Sequence, residues 1–267
     1  MFSFETAELV VLFVLGALIG SFANVVIYRL PRGENIAWPG SHCQSCSASI
    51  SWYHNVPILA WFWLRGKCAK CGAKYSFRYP FVELLMAVLF LLAGYRLGPV
   101  TLEVFPWTLV EALIFITCAL ICSFIDLDHM ILPDVFTLSG IVIGLIGSLL
   151  NPDRNFWDAV IGVLAGGGAL WAVGYLYLAL RNREGMGGGD VKLLAWIGAV
   201  LGWKAIPIVI LLSSVLGSIL GIAIAIRTKD GMNKPIPFGP YLAGAAILYI
   251  LLGGNQWSDW YLSLHGL

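Results

Sequence analysis

Charge is what this chain lacks. Asp, Glu, Lys and Arg make up 12% of its 267 residues, against roughly a quarter in an ordinary soluble domain. The formal net charge is +1, and without a concentrated basic face nucleic-acid binding is excluded. No G-x-x-x-x-G-K-[ST] loop is present, and no G-x-G-x-x-G follows a strand, so neither common nucleotide cradle is built here. No serine or cysteine nucleophile motif stands out, and no internal repeat is evident.

What the chain has is apolar length. Hydrophobic residues account for 59%, and the mean hydropathy is +0.84. Runs of roughly 20 residues, enough to cross hydrocarbon, recur from end to end. Eight spans are expected, at 5–28, 80–96, 105–125, 135–151, 157–180, 191–203, 205–226 and 238–253. The expected fold is an all-α membrane protein of about eight transmembrane helices. Leu9 to Ile27 lacks an early basic region and a small-residue cleavage pattern, so it reads as a retained helix and not a signal peptide. The 191–203 span is too short to cross alone and suits a half-helix or a tilted one. Gly166 to Gly168, with Gly217 and Gly221, would let helices approach closely.

Orientation follows from the basic residues. With the N-terminus outside, the inside segments hold thirteen of the sixteen, Arg29, Arg32, Arg65, Lys67, Lys70, Lys74, Arg78, Arg181, Arg183, Lys192, Arg227, Lys229 and Lys234, and the outside ones keep Arg96, Arg154 and Lys204. The expected domains are a first transmembrane helix (1–29), a cytoplasmic four-cysteine domain (30–79) and a multi-helix membrane domain (80–267).

Cys43 and Cys46 form one C-x-x-C pair, and Cys68 and Cys71 a second, with 21 residues between them. Each pair can grip one edge of a tetrahedral zinc. The topology puts this loop in a reducing compartment, where structural disulfides are rare. Lys67, Lys70 and Lys74 would favour the thiolates, and Gly66 and Gly72 would permit tight turns. Four cysteines leave no open position, so the expected metal is structural; unrelated thiols or a redox pair are the alternatives. His42 and His54 read as loop residues, and Cys118 and Cys122 as small residues inside the third span. The apolar run Pro57 to Leu64 is expected to rest on the bilayer surface or the helix ends.

Two inside loops carry acids. One runs from Ser123 to Asp134 and includes Asp126 and Asp128; the other is Gly185-Met-Gly187-Gly188-Gly189-Asp190-Val-Lys192. Ionisable groups at membrane depth are costly and mark function. Asp134, after Pro133, reads as a helix cap, and Asp128 as a solvated carboxylate. Asp126 directly follows an apolar run. Asp190 follows three glycines and is placed to cap the next helix.

These residues carry a resemblance. Gly187-Gly188-Gly189-Asp190 fits the G-x-G-D motif of membrane aspartic proteases, and its distance from Asp126, 64 residues, resembles that of the catalytic pair of bacterial type IV prepilin peptidases. Gly20-Ser-Phe-Ala-Asn24-Val-Val-Ile-Tyr-Arg29-Leu-Pro31, the paired C-x-x-C loop, Arg78-Tyr-Pro80-Phe-Val-Glu83 and Pro237-Phe-Gly239-Pro-Tyr-Leu-Ala243 resemble the same family. Ala23 stands where a larger apolar residue is common. The resemblance implies an aspartic endopeptidase of the bacterial inner membrane, active at the cytoplasmic face. Its partners would be prepilin or pseudopilin precursors, whose positively charged leaders it removes. It also implies N-methylation of the new N-terminal residue with S-adenosylmethionine, for which a pocket near the cysteine loop and Glu83 is the expected place.

Asp126 and Asp190 would be the catalytic acids. Asp126 lies near a helix C-terminus and Asp190 at an N-terminus, so the helix dipoles favour Asp190 as the ionised base and Asp126 as the protonated acid. A transporter is the main rival, since glycine-interrupted helices suit alternating access; it would tolerate loss of both aspartates. A zinc-dependent assembly scaffold is another, and leaves the Gly-Gly-Gly-Asp segment unexplained.

Overall fold

The computed structural model describes residues 6–98, 106–182, 187–227, 237–254, 256–257 and 263. Gly185, Met186, Arg183, Lys229 and Lys234 lie outside them. Among the described residues the chain is helical, with β pairing confined to the isolated antiparallel bridges His42–Ser49 and Lys67–Lys74. The described residues form nine α-helices, in order: α1 Thr6–Arg29, α2 Leu59–Trp63, α3 Arg78–Leu97, α4 Trp107–His129, α5 Asp134–Leu150, α6 Phe156–Arg181, α7 Gly188–Leu201, α8 Ile206–Arg227 and α9 Gly239–Leu251. Eight of them coincide with the eight expected spans, and α2 is the added short one. Five stretches are long and apolar enough to cross a membrane, Thr6–Arg32, Arg78–Leu97, Trp107–His129, Phe156–Arg181 and Trp203–Ala223; α5 and α9 are apolar but shorter.

By packing the chain divides into two compact units, Met1–Leu109 and Val110–Leu267. In the first, α1 lies along α3. The contact is close because Gly16 and Gly20 stand one turn apart on α1: a methyl group on Gly16 would meet Ala87 Cα at 2.7 Å, and one on Gly20 would meet Glu83 Cα at 2.8 Å. Small residues four apart let two backbones meet in lipid, where packing drives association. Pro57 to Leu64 forms α2 and its approach; Leu59, Phe62 and Trp63 are exposed, while Trp61 tucks under Gly66 and meets Phe77 edge-on.

The second unit is arranged around α7, which packs against α5, α6 and α9. Leu193, Leu194, Trp196, Ile197 and Ala199 are all buried, so this helix is apolar all round because it is enclosed all round. That explains its 14 residues: its neighbours, not lipid, cover it. The approach to α6 is backbone to backbone, with a methyl on Gly198 only 2.0 Å from Gly162 O and one on Gly166 only 2.4 Å from Leu194 O. A methyl group on Gly168 would face open space, and one on Gly217 would meet Tyr241 at an ordinary 3.5 Å. Cys122 is buried within α4, as expected, and Cys118 is half-buried.

An ion pair unforeseen in the sequence ties this unit together. Arg154, in the α5–α6 connection, bonds Glu111 of α4 and also donates to Gly144 O and Ala199 O. One guanidinium therefore joins the start of α4 to the later half of α5 and the end of α7. Asp126 lies fifteen residues further along α4, about 22 Å away at the helical rise.

Candidate functional site

In the second unit, the far end of α4 and the start of α7 bring Asp126 and Asp190 together. Asp126 lies in the last turn of α4 at 6% exposure, and Asp190 in the first turn of α7 at 9%. The two carboxyl groups act on each other electrostatically. Leu132 fixes the spacing: methyl groups on Gly189 and on Gly239 would each stand about 3 Å from its side chain, at 3.0 and 3.1 Å. Gly239, the first residue of α9, donates its N–H to Asp126 Oδ2 at 3.1 Å. Lacking a side chain, it leaves room for that oxygen, which a Cβ would meet at 2.6 Å.

Two capping expectations are corrected. The N-cap of α7 is Gly187, whose carbonyl accepts the Asp190 N–H at 3.1 Å, so Asp190 is the third helical residue, and its carboxyl accepts the Gly187 N–H in return. Asp134 opens α5 after Pro133 without capping it; its Oδ1 accepts from Lys192 Nζ at 2.7 Å, across to α7. The dipole argument also changes. Asp126 terminates α4, yet its carboxyl meets the N-terminus of α9, so both acids face a helix N-terminus. Gly239 was missed as a partner because a backbone N–H 113 residues away leaves no mark in a motif.

The first unit holds a four-thiol cluster. The Sγ atoms of Cys43, Cys46, Cys68 and Cys71 lie within 4.8 Å of one another. Each pair sits on the same kind of turn. Cys43 N–H bonds Ala48 O at 2.9 Å while Ser47 N–H returns to Cys43 O at 2.8 Å; Cys68 N–H bonds Ala73 O at 2.8 Å while Gly72 N–H returns to Cys68 O at 2.9 Å. Both turns need a left-handed residue four past the first cysteine, Ser47 at φ 55° and Gly72 at φ 73°.

Charge within this cluster is tuned. Backbone N–H groups of Cys46 and Ser45 lower the Cys43 thiol from its ordinary value, and those of Cys71 and Lys70 lower Cys68 to about 6. Cys71 receives an N–H from Ala73, but the thiols of Cys46, Cys68 and Cys43, with burial, push it up to about 12. Burial and the Cys43 and Cys68 sulfurs, to which its hydroxyl donates, raise the Tyr75 phenol. Some thiolates form readily, and those present oppose the rest.

Beside this cluster a cavity opens between α1, α3 and the loop, lined among others by Ser21, Asn24, His54, Trp61, Tyr79 and Glu83. Asn24 holds its rim by donating to Tyr79 O at 3.1 Å. His42 also lines it, with Nδ1 3.0 Å from Gly40 O.

An apolar helical frame around two adjoining buried acids defines a class: membrane proteins with a paired-carboxyl centre. Comparison with known proteins narrows it. Residues 14–97 match the Bacterial Peptidase A24 N-terminal domain, and residues 113–222 match the Type IV leader peptidase family. A prepilin leader peptidase/N-methyltransferase of Aeromonas hydrophila is 41% identical over 275 residues, covering 94% of this chain and 92% of its own. Proteins of the same name from Stutzerimonas stutzeri (38% over 276 residues, 93% and 92% covered) and Pseudomonas aeruginosa (37% over 275 residues, 94% and 92% covered) are also similar. No solved structure matches. The chain belongs to the type IV leader peptidase family.

Proposed function

We propose that this protein is a membrane aspartic endopeptidase that removes the positively charged leader from type IV prepilins or pseudopilins, and that it then N-methylates the exposed residue. The observation that carries the first activity is the convergence of Asp126 and Asp190 in a buried setting. Two buried carboxyls that act on each other do not both ionise readily, and in this reading they hold one proton between them. The ionised one takes a proton from the attacking water while the protonated one donates to the scissile carbonyl, and no covalent intermediate is needed. Because both face helix N-termini, the dipoles no longer select Asp190 as the base, and the proton belongs to the pair. The Gly239 N–H holds Asp126 Oδ2 in place, which leaves its other oxygen for substrate.

The four thiols are proposed to hold a structural zinc. Their fit is geometric: Zn–S bonds of about 2.3 Å give a tetrahedral edge of about 3.8 Å, and Cys43 and Cys71 Sγ stand 3.8 Å apart. A dication relieves the mutual opposition of the thiolates. Bound S-adenosylmethionine would supply an electrophilic methyl group, and the cavity at Glu83 is its proposed place: one buried carboxylate among aromatic rings suits a cationic ligand. The full topology proposed is eight spans in the bacterial inner membrane, N-terminus outside, with residues 30–79 and the acids at the cytoplasmic face.

Cleavage of a purified prepilin by wild type, Asp126→Asn and Asp190→Asn tests the central reading. Wild type should cut, and each variant should insert normally without cutting. Normal cleavage by Asp126→Asn would turn attention to Asp128, and by both variants would favour a transporter or scaffold.

A further inference from the structure

The cavity of the first unit encloses an acid without a counter-ion. Glu83 on α3 is 9% exposed. Among the described residues its partners are uncharged: Oε2 accepts the Ile58 N–H at 2.6 Å, and the Ser21 hydroxyl donates as well. The basic side chain in the same wall, Arg29, is committed elsewhere. Its Nη1 donates to Asn35 O at 3.0 Å and Ile36 O at 3.3 Å, and its Nη2 to Gly40 O at 3.3 Å. Glu83 thus has no ion-pair partner among the described residues, because the N–H groups of Arg29 point to backbone carbonyls and not to it. The rings of Trp61, Tyr75 and Tyr79 line it, and such rings favour a cation over a neutral guest.

Glu83 also holds strained chain. Ile58 has φ 65° and ψ −58°, with Leu59 N–H bonded to Pro57 O at 2.6 Å, a γ-turn of the uncommon hand. A β-branched residue rarely adopts it, and strain of this kind clusters at ligand clamps. The Ile58 N–H is the group that Glu83 grips.

We propose that Glu83 is the group by which this cavity distinguishes the methyl donor from its spent product. The proposal rests on the reading of the cavity as the methyl-donor site. In the transfer, the lone pair of the pilin's new amino nitrogen forms an N–C bond as the C–S pair passes to sulfur, and the nitrogen sheds a proton to solvent. The donor's sulfur is a sulfonium cation; the product's is a neutral thioether. A carboxylate facing that sulfur binds the first and lets go of the second. Glu83 is thus a specificity residue and gives turnover a direction.

Isothermal titration of the full-length protein in detergent with S-adenosylmethionine and with S-adenosylhomocysteine provides the test. Wild type should bind the sulfonium about tenfold or more tighter, as for a charge-assisted contact out of water. Glu83→Gln keeps an acceptor for the Ile58 N–H but loses the charge, and should bring the two affinities within about twofold. Equal affinities in wild type, or an unchanged ratio in the variant, would overturn the proposal. Ala60→Phe, which fills the cavity, separates the two levels of the claim. If it abolishes binding while Glu83→Gln leaves the ratio intact, only the role of Glu83 falls. If it leaves binding untouched, the donor sits elsewhere and both readings fall.

Discussion

The N–H of Gly239 and the Oδ2 of Asp126 meet at 3.1 Å, joining the first residue of one helix to an acid 113 residues earlier on another. The bond needs a residue without a side chain, since a methyl group would stand 2.6 Å from the same oxygen. Gly239→Ala should therefore displace the carboxylate without unfolding the unit. Prepilin cleavage is expected to fall about 100-fold, the cost of a misplacement near 1 Å, with helical circular dichroism unchanged.

If Asp126 and Asp190 share a proton and act as one device, their losses are not additive. The double variant Asp126→Asn, Asp190→Asn should cleave no more slowly than the worse single variant, each losing on the order of 1,000-fold or more. Single-turnover cleavage measures this. A double variant slower by the product of the two single effects would show two independent contributors.

Zinc affinity should rise with pH. A metal takes only thiolates, so each thiol still protonated in the free protein must lose its proton on binding. Cys71, pushed up to about 12, is protonated throughout the physiological range, whereas Cys68, at about 6, is already ionised above neutrality. Between pH 7 and 9 at least one proton should leave per zinc, giving about a tenfold gain in affinity per pH unit. Below about pH 6 the protonation of Cys68 adds a further one. Calorimetry in buffers of different ionisation enthalpy counts the protons released.

Two glycines on the α6–α7 side should behave oppositely. Gly198→Ala puts a carbon 2.0 Å from the Gly162 carbonyl, so the backbones must part. Overpacking of this kind costs about 1–3 kcal/mol, and the shift reaches Asp190 along a rigid helix. Gly168→Ala meets nothing within 4 Å and should stay within about 0.5 kcal/mol of wild type. Thermal unfolding in detergent compares them.

Two ion pairs among the described residues of the second unit should differ in weight. Lys192–Asp134 is solvent-accessible, with side chains 39% and 57% exposed, so Asp134→Asn should change stability by less than about 1 kcal/mol. Glu111 and Arg154 are 12% and 16% exposed. Glu111→Ala leaves a buried guanidinium short of its acid and should cost about 3 kcal/mol. Denaturant titration distinguishes the two.

Much of this was legible because its causes are local. Apolar runs alone placed eight helices, since lipid rewards continuous hydrophobicity, and two C-x-x-C pairs announced a cluster because each turn closes on itself. The acids stood out for their positions: one at the end of an apolar run, one behind glycines. What escaped depends on partners far along the chain. Arg154 looked like an ordinary loop cation because neither Glu111 nor the carbonyls of Gly144 and Ala199 are near it in sequence. The caps of α5 and α7 were misjudged by one to three residues because the first turn is set by backbone angles that residue type only biases. The dipole argument at Asp126 took in only its own helix, and not the α9 terminus that faces it.

The paired cysteine turns have a consequence for biosynthesis. Each is a clip of six residues closed by its own backbone bonds, so neither waits for the other to take shape. A ribosome delivers them in sequence, and until Cys71 emerges the nascent chain carries a half-built grip of two thiols. During that interval a reducing surrounding is what preserves them for the partners still to come.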